Sequence, residues 1–350
     1  MTQELEQTAR ALVAGGKGIL AADETVGTIT KRFKALGIES TEDSRRSYRQ
    51  MLFETPEAEQ FISGTIMYDE TIRQKTPEGV PLVDVLTRRG IIPGIKVDTG
   101  TKPLAGAPEE TITEGLDGLR DRLNQYFGMG ARFAKWRAVF RVTESLPSPV
   151  CLSANAHALA RYAALCQEQG LVPIVEPEVL MDGFHTIERC EDVTSAVLHA
   201  VFQELFAQCV RLEGILLKPN MVLPGQSCSK QATVQHVAIA TLRSLQRCAP
   251  AAVPGIVFLS GGQSALLATA HLNAIQNLDA PRPWKISFSY GRALQDPALA
   301  AWHGRPENFT SGQQAFYHRA KCNSAATSGR YNEEMEVQSG NMVGAVHRAG

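Results

Sequence analysis

Eight short apolar runs, each closed off by a charge, a glycine or a proline, restrict most what this chain can become. In order they are 19–24, Phe61–Tyr68, Ile91–Asp98, Ala131–Arg137, Val172–Glu178, Gly214–Val222, Gly255–Gly262 and Trp284–Gly291. Runs of this length, rich in branched aliphatics and bounded by turn residues, read as buried strands. Helical spacing fills the intervals, most clearly at 153–169, 192–212, 230–248 and 264–277, with Leu5–Val13 and the charged stretch 41–61 earlier. Strand alternating with helix, without long linkers, argues for a parallel α/β architecture. Eight strands is also the number that closes a (β/α)8 TIM barrel. A doubly wound open sheet is the alternative, but its glycine-rich turn should follow the first strand. Here Gly15-Gly16-Lys17-Gly18 precedes that strand, and so reads as a turn. The pattern predicts one catalytic barrel over residues 1–330. From Ser328 onward the residues are small and polar, with Gly329, Gly340, Gly344 and Gly350, and 331–350 is expected to be a mobile carboxyl-terminal tail.

Composition narrows the function classes. Thirty-five Lys and Arg balance 36 Asp and Glu, which points away from nucleic acid and from anionic membranes. No apolar run approaches a membrane span, and the acidic, polar stretch Met1–Arg10 shows no signal peptide. The seven cysteines are scattered, without a C-x-x-C pair, as in the reducing cytoplasm. The expectation is a soluble cytoplasmic protein.

Lys218 draws attention first. It follows Ile215-Leu216-Leu217 and precedes Pro219, which cannot continue a central ladder, so the sixth strand should stop about there. An ammonium at the end of a buried strand is partly stripped of water, which disfavours its charged form. A neutral lysine is a nucleophile able to form an imine with a carbonyl. An isolated lysine at such a place more often snorkels into solvent. The company of Lys218 argues otherwise. The other strands end in Asp23, in Lys96 and Asp98, in Lys135 and Arg137, in Glu176 and Glu178, in Ser260-Gly261-Gly262 and in Ser289-Tyr290-Gly291-Arg292. In a β/α barrel all carboxyl ends meet on one face. Charged layers that serve only the fold are the competing account, but buried ion pairs add little net stability after desolvation.

Within this set, Lys135 should repel protonation of Lys218. Glu176 and Glu178 should point to one side of their strand, one relaying protons and the other balancing the lysines. Histidines are absent from the strand ends, which argues against imidazole-bound zinc, and no metal site is expected. The loops after the seventh and eighth strands, with Arg292, suggest a phosphorylated substrate. Arg32 and Lys31 offer charge for a second phosphate.

These segments also carry a resemblance. GILAADE from Gly18, GIKVD from Gly94, FAKWR from Phe133, VEPE from Val175, LKPNM from Leu217, FLSGGQS from Phe258 and SFSYGRAL from Ser287 resemble class I fructose-bisphosphate aldolases, over about Leu12 to Tyr331. The resemblance implies a β/α barrel without metal or cofactor, usually a homotetramer. It implies reversible cleavage of fructose 1,6-bisphosphate to dihydroxyacetone phosphate and glyceraldehyde 3-phosphate, in glycolysis or gluconeogenesis. By position, Lys218 would be the Schiff-base lysine, Glu176 would act in carbinolamine dehydration, and Asp23 in carbon–carbon cleavage. Lys135 would assist electrostatically and Glu178 would support the lysines. Ser260, Gly261, Ser289 and Arg292 would hold the phosphate at the ketose end. Lys96, Arg32, Arg137, Thr25 and Thr28 would serve the remainder of the substrate, threonines standing where the family usually has serines. Family members commonly end in a tyrosine that exchanges the enamine proton, whereas this sequence ends His347-Arg348-Ala349-Gly350. Slower or differently catalysed exchange is therefore expected. A different Schiff-base barrel enzyme, such as a transaldolase-like or deoxyribose-phosphate-type aldolase, and a non-catalytic scaffold remain open at this point.

Overall fold

The structure, a computed structural model, describes residues 2–337. Ten strands occur in it: β1 (Gly18–Ala22), β2 (Ile62–Met67), β3 (Ile92–Lys96), β4 (Gly100–Leu104), β5 (Ala107–Glu114), β6 (Phe133–Phe140), β7 (Val172–Val179), β8 (Leu216–Leu217), β9 (Gly255–Phe258) and β10 (Lys285–Tyr290). Eight of them close a barrel in the order β1-β10-β9-β8-β7-β6-β3-β2, every pair parallel. These are the eight apolar runs, and the expected (β/α)8 barrel is what they build. Strand β8 is short, as Pro219 requires: the Lys218 amide still bonds the Val175 carbonyl at 2.8 Å, and there the sixth run leaves the ladder.

The hairpin β4–β5 was not expected. It is antiparallel, turns at Gly106 (φ +80°) and lies between β3 and the helix Leu119–Gly128. Pro103 and Pro108 and a largely exposed face hide its alternation from a periodicity reading. The charged stretch 41–61 is an α-helix over Glu42–Phe53, with Thr41 and Ser44 forming a capping box, followed by a single 3-10 turn at Ala58–Gln60.

Two buried clusters divide the apolar work. The larger joins the outer face of the strands to the surrounding helices. The smaller fills the barrel itself with Ile19, Ala21, Ile66, Phe133, Val172, Ile174, Leu216 and Val257, and adds Leu5, Ala9, Leu12 and Val13 from the first helix and its end. The helix Thr2–Leu12 thus plugs the amino-terminal mouth: Leu12 lies against Gly64 and Val13 against Gly255, both near strand starts. Only the carboxyl mouth is left to charged groups.

Phe133 sets the tightest fit in this filling. A Cβ built on Gly94 would stand 2.3 Å from its ring carbons, and Phe133 is fully buried, with no room to withdraw. Gly94→Ala is therefore expected to cost about 1–3 kcal/mol through overpacking. Denaturant unfolding should show a lower midpoint with an unchanged slope; an unshifted midpoint would mean that the ring relaxes freely.

All seven cysteines are free thiols. Among the described residues, no helix is long and apolar enough to cross a membrane. Residues 331–337, assigned to the tail by sequence, are held against two helices: the Tyr331 amide bonds Asn273 Oδ1 of the helix Ala265–Gln276 at 3.0 Å, and Glu336 pairs with Arg319 of the helix Phe309–Ala326 at 2.6 Å. The rest of the expected tail, including His347–Gly350, lies outside the described residues.

Candidate active site

Period two explains how the carboxyl mouth becomes charged. On β1 the inward positions are Ile19 and Ala21, and the next is Asp23. On β6 the series is Phe133, Lys135, Arg137; on β7 it is Val172, Ile174, Glu176, Glu178; on β8 it is Leu216, then Lys218. Each strand spends its lower inward positions on the apolar plug and its upper ones on charge.

The result is one buried network. The Lys135 ammonium lies 2.7 Å from Asp23, 3.3 Å from Glu176 and 4.0 Å from Asp98. Lys218 lies 3.2 Å from Glu176, and Lys96 lies 3.0 Å from Asp98. Three lysines thus face three carboxylates, and Lys135, Glu176 and Lys218 are each under 5% exposed. Burial alone would raise the Asp23 carboxyl, yet the charges of Lys135 and Lys218, the Lys135 hydrogen bond and Lys96 outweigh it. They hold Asp23 well below the usual carboxylate range. Burial likewise works against the Lys135 ammonium, but Asp23, Glu176 and Asp98 prevail and keep it protonated far into the alkaline range. Asp23 is therefore a fixed anion and Lys135 a fixed cation at neutral pH.

Two expectations are corrected here. The repulsion foreseen between Lys135 and Lys218 is not a bare one, because Glu176 stands between them with one oxygen toward each. Glu178 was expected to balance the lysines. Its ion partner is instead Arg137 on the adjacent strand, 2.5 Å away. The side chain two positions further up β7 has risen past the lysine layer and meets the guanidinium at the rim.

Asp98 is the member that sequence reasoning named at a strand end but left out of the site. It bridges Lys96 and Lys135 and accepts the amides of Arg137 (3.4 Å) and Gly100 (3.2 Å). Its spacing of two from Lys96 was the available signal.

The loop after β9 has a backbone geometry that can cradle an anion. Gly261 and Gly262 take φ of +57° and +90°, which only glycine adopts without strain, and Ser260 before them is buried. Ser264 caps the following helix, Ala265–Gln276, by accepting the Leu267 amide; the helix starts one residue later than the spacing suggested. Arg292 opens the helix Arg292–Trp302 and leans over the loop, its Nη2 3.1 Å from where a Cβ on Gly262 would be. No ion pair or hydrogen bond occupies the Arg292 guanidinium among the described residues. The Ser289 hydroxyl, at the end of β10, is buried and also lacks a hydrogen-bond partner among them.

The opposite side of the mouth is more committed. Thr25 caps the helix Val26–Ala35, accepting the Thr28 amide at 3.2 Å, and the two hydroxyls are 3.0 Å apart. Arg32 pairs with Glu24 and, at 2.7 Å, with Asp296. To reach a phosphate it must first release one of them. Lys31 is exposed.

Behind the cradle, Gln263 Oε1 lies 2.6 Å from Nδ1 of His271, which is 2% exposed. Burial pushes His271 down to about 4. An unfolded histidine takes up its proton near pH 6.5, whereas the native one refuses it until about pH 4. This stability is fully present above pH 6.5 and is lost as pH falls through that window, by up to about 3 kcal/mol. His271→Asn should flatten the fall in unfolding free energy between pH 6.5 and 4; an unchanged slope would place the acid sensitivity elsewhere.

Known proteins share this architecture. A family model described as fructose-bisphosphate aldolase class-I matches residues 4–348. A probable fructose-bisphosphate aldolase class 1 of Xanthomonas axonopodis pv. citri is 56% identical over 330 residues, 94% of this chain and 98% of that protein. The cytosolic fructose-bisphosphate aldolase 4 of Arabidopsis thaliana is 52% identical over 339 residues, 97% and 86% of the two chains. Among solved structures, fructose-bisphosphate aldolase from Plasmodium falciparum, in complex with TRAP and a small molecule inhibitor, has a TM-score of 0.93 at 49% identity, covering 94% and 95%. Identity of about one half along nearly the whole of both chains is far more than a common barrel requires: the chain belongs to the class I fructose-bisphosphate aldolase family, and it is a carbon–carbon lyase of that type.

Proposed function

We propose that Lys218 is the imine-forming residue of this aldolase, with Glu176 as its proton partner and Asp23 as the base of carbon–carbon cleavage. The observation that carries the reading is the shared carboxylate: Glu176 reaches Lys218 at 3.2 Å and Lys135 at 3.3 Å, in a pocket almost closed to water. Glu176 can take the proton that Lys218 sheds on becoming a nucleophile. The amine adds to the ketone carbon of open-chain fructose 1,6-bisphosphate. Glu176 then returns the proton to the hydroxyl of that adduct, water departs, and a protonated imine remains. Asp23 accepts the proton of the hydroxyl on the carbon beyond the bond to be broken. That bond breaks, its electron pair moves to the imine nitrogen as an enamine, and glyceraldehyde 3-phosphate leaves. Protonation of the enamine and hydrolysis of the imine release dihydroxyacetone phosphate and restore Lys218.

The charges that keep Asp23 ionised also weaken it as a base. Proton transfer must therefore coincide with bond cleavage, and the Lys135 hydrogen bond must pass to a substrate oxygen. Ser260, Gly261, Ser289 and Arg292 hold the ketose-end phosphate on this reading. Lys96, Thr25, Thr28 and Arg137 line the other part of the substrate, and Arg32 reaches it after loosening from Asp296. Grips at both ends turn remote binding energy into alignment at the reacting carbons. The barrel, residues 1–330, is the catalytic unit, and the protein works as a cytoplasmic homotetramer.

The test is borohydride reduction with and without dihydroxyacetone phosphate, in excess chelator, followed by peptide mass spectrometry. The expected result is a substrate-dependent adduct on Lys218 alone. Bound ligand without an adduct on any lysine would overturn the assignment. For the cradle, Arg292→Ala removes a charge-assisted contact of about 1.5–3 kcal/mol, on the order of 10- to 100-fold in kcat/KM for the bisphosphate. The loss should shrink sharply with an unphosphorylated ketose; an equal loss on both would remove Arg292 from phosphate binding.

A further inference from the structure

Away from the barrel mouth, His318 and Cys322 lie one turn apart on the helix Phe309–Ala326, facing Glu336 from the segment that follows it. His318 Nε2 is 3.2 Å from Glu336 Oε2 and 3.6 Å from Cys322 Sγ, and the three donor atoms all lie within 4.8 Å of one another. Tetrahedral zinc has bonds of about 2.0–2.1 Å to nitrogen and oxygen and about 2.3 Å to sulfur. Those lengths imply edges of about 3.3 Å between nitrogen and oxygen and about 3.6 Å between nitrogen and sulfur. The nitrogen–oxygen and nitrogen–sulfur separations of this cluster, 3.2 and 3.6 Å, are close to those lengths.

We propose that His318, Cys322 and Glu336 form a binding site for a zinc-class divalent cation, which fastens residues 331–337 to the body of the protein. Imidazole, thiolate and carboxylate together suit a borderline-soft ion better than magnesium or calcium. On binding, the Cys322 thiol gives up its proton to solvent, so that one thiolate and one carboxylate balance the two positive charges. Water completes the fourth position. Among the described residues Arg319 competes with the cation, since its Nη1 lies 2.6 Å from both Glu336 oxygens. It is anchored independently, through Nη2, to Thr269 Oγ1 at 2.6 Å and to the Ala265 carbonyl. The cation takes Oε2, while Oε1 keeps Arg319 and the Tyr331 hydroxyl, 3.0 Å away. A ligating carboxylate held by outer partners in this way is the usual arrangement around bound metals. The site would not touch the lysine network, so imine chemistry at Lys218 should proceed with or without the ion.

The experiment titrates the chelator-stripped, full-length protein with cobalt(II), the spectroscopic stand-in for zinc. Metal content is followed by plasma mass spectrometry, and thiolate ligation by its near-ultraviolet charge-transfer band. The expected result is one ion per chain with a thiolate band, the band absent in Cys322→Ser but kept in a Cys209→Ser control. His318→Gln should weaken binding by at least about tenfold. Because Cys322 is buried, circular dichroism checks the fold; His318 is only partly buried, and its variant carries the contrast if Cys322→Ser does not fold. No stoichiometric binding by the wild type, or binding unchanged in either variant, would overturn the proposal.

Discussion

Lys218→Met is expected to abolish substrate-dependent borohydride trapping and to lower kcat on the order of 10⁴-fold or more, since it removes the proposed nucleophile and not a supporting contact. The fold should survive. Methionine fills the volume of the lysine stem, and Glu176 keeps Lys135 at 3.3 Å, so no carboxylate is left buried without a cation. Desolvating an ion pair costs about as much as the pair returns. The unfolding midpoint should therefore stay near that of the wild type, or rise, while activity vanishes. A merely structural lysine would give the opposite pattern, lost stability with retained turnover. Retained trapping in the variant would move the imine to another lysine, Lys135 being the first to examine.

Asp23→Asn should separate the two halves of the reaction. Asparagine has nearly the shape of aspartate and can still accept a hydrogen bond from Lys135, but it cannot take a proton from the substrate hydroxyl. Imine formation with dihydroxyacetone phosphate should persist and be trapped on Lys218. Cleavage of the bisphosphate should fall about 10²- to 10⁴-fold, the range of a lost general base. Lys135 retains Glu176 and Asp98, so the remaining network stays charged. If trapping and cleavage fell together, Asp23 would be acting before the imine forms, and the division of labour with Glu176 would be wrong.

What could be read in the sequence was what depends on neighbours along the chain. The eight strands were legible because each is an apolar run stopped by a local breaker, as Pro219 stops β8. Lys218, Lys135, Glu176 and Asp23 were legible because strand ends of a closed parallel barrel share one face, whatever their separation in sequence. The hairpin β4–β5 was missed because an exposed two-stranded ribbon with prolines carries no buried face to impose a period. The resemblance named residues by position, but could not say whom each one touches.

Partnerships were decided in three dimensions. Glu178 meets Arg137 and not a lysine because two residues of rise along β7 carry it above the lysine layer. Asp98 enters the network because β3 lies beside β6, which brings it within reach of Lys135. Arg32 is held by Glu24 and Asp296, the latter more than two hundred and sixty positions away, because the barrel closes β1 onto β10. The sequence by itself determined which segments are strands and which side chains crown them, since hydrophobic periodicity and chain breakers are local. Which charges neutralise one another, and so why Asp23 stays ionised beside Lys135, was decided only by barrel closure, because Coulomb energies depend on distance through space and on exclusion of water, and neither is written along the chain.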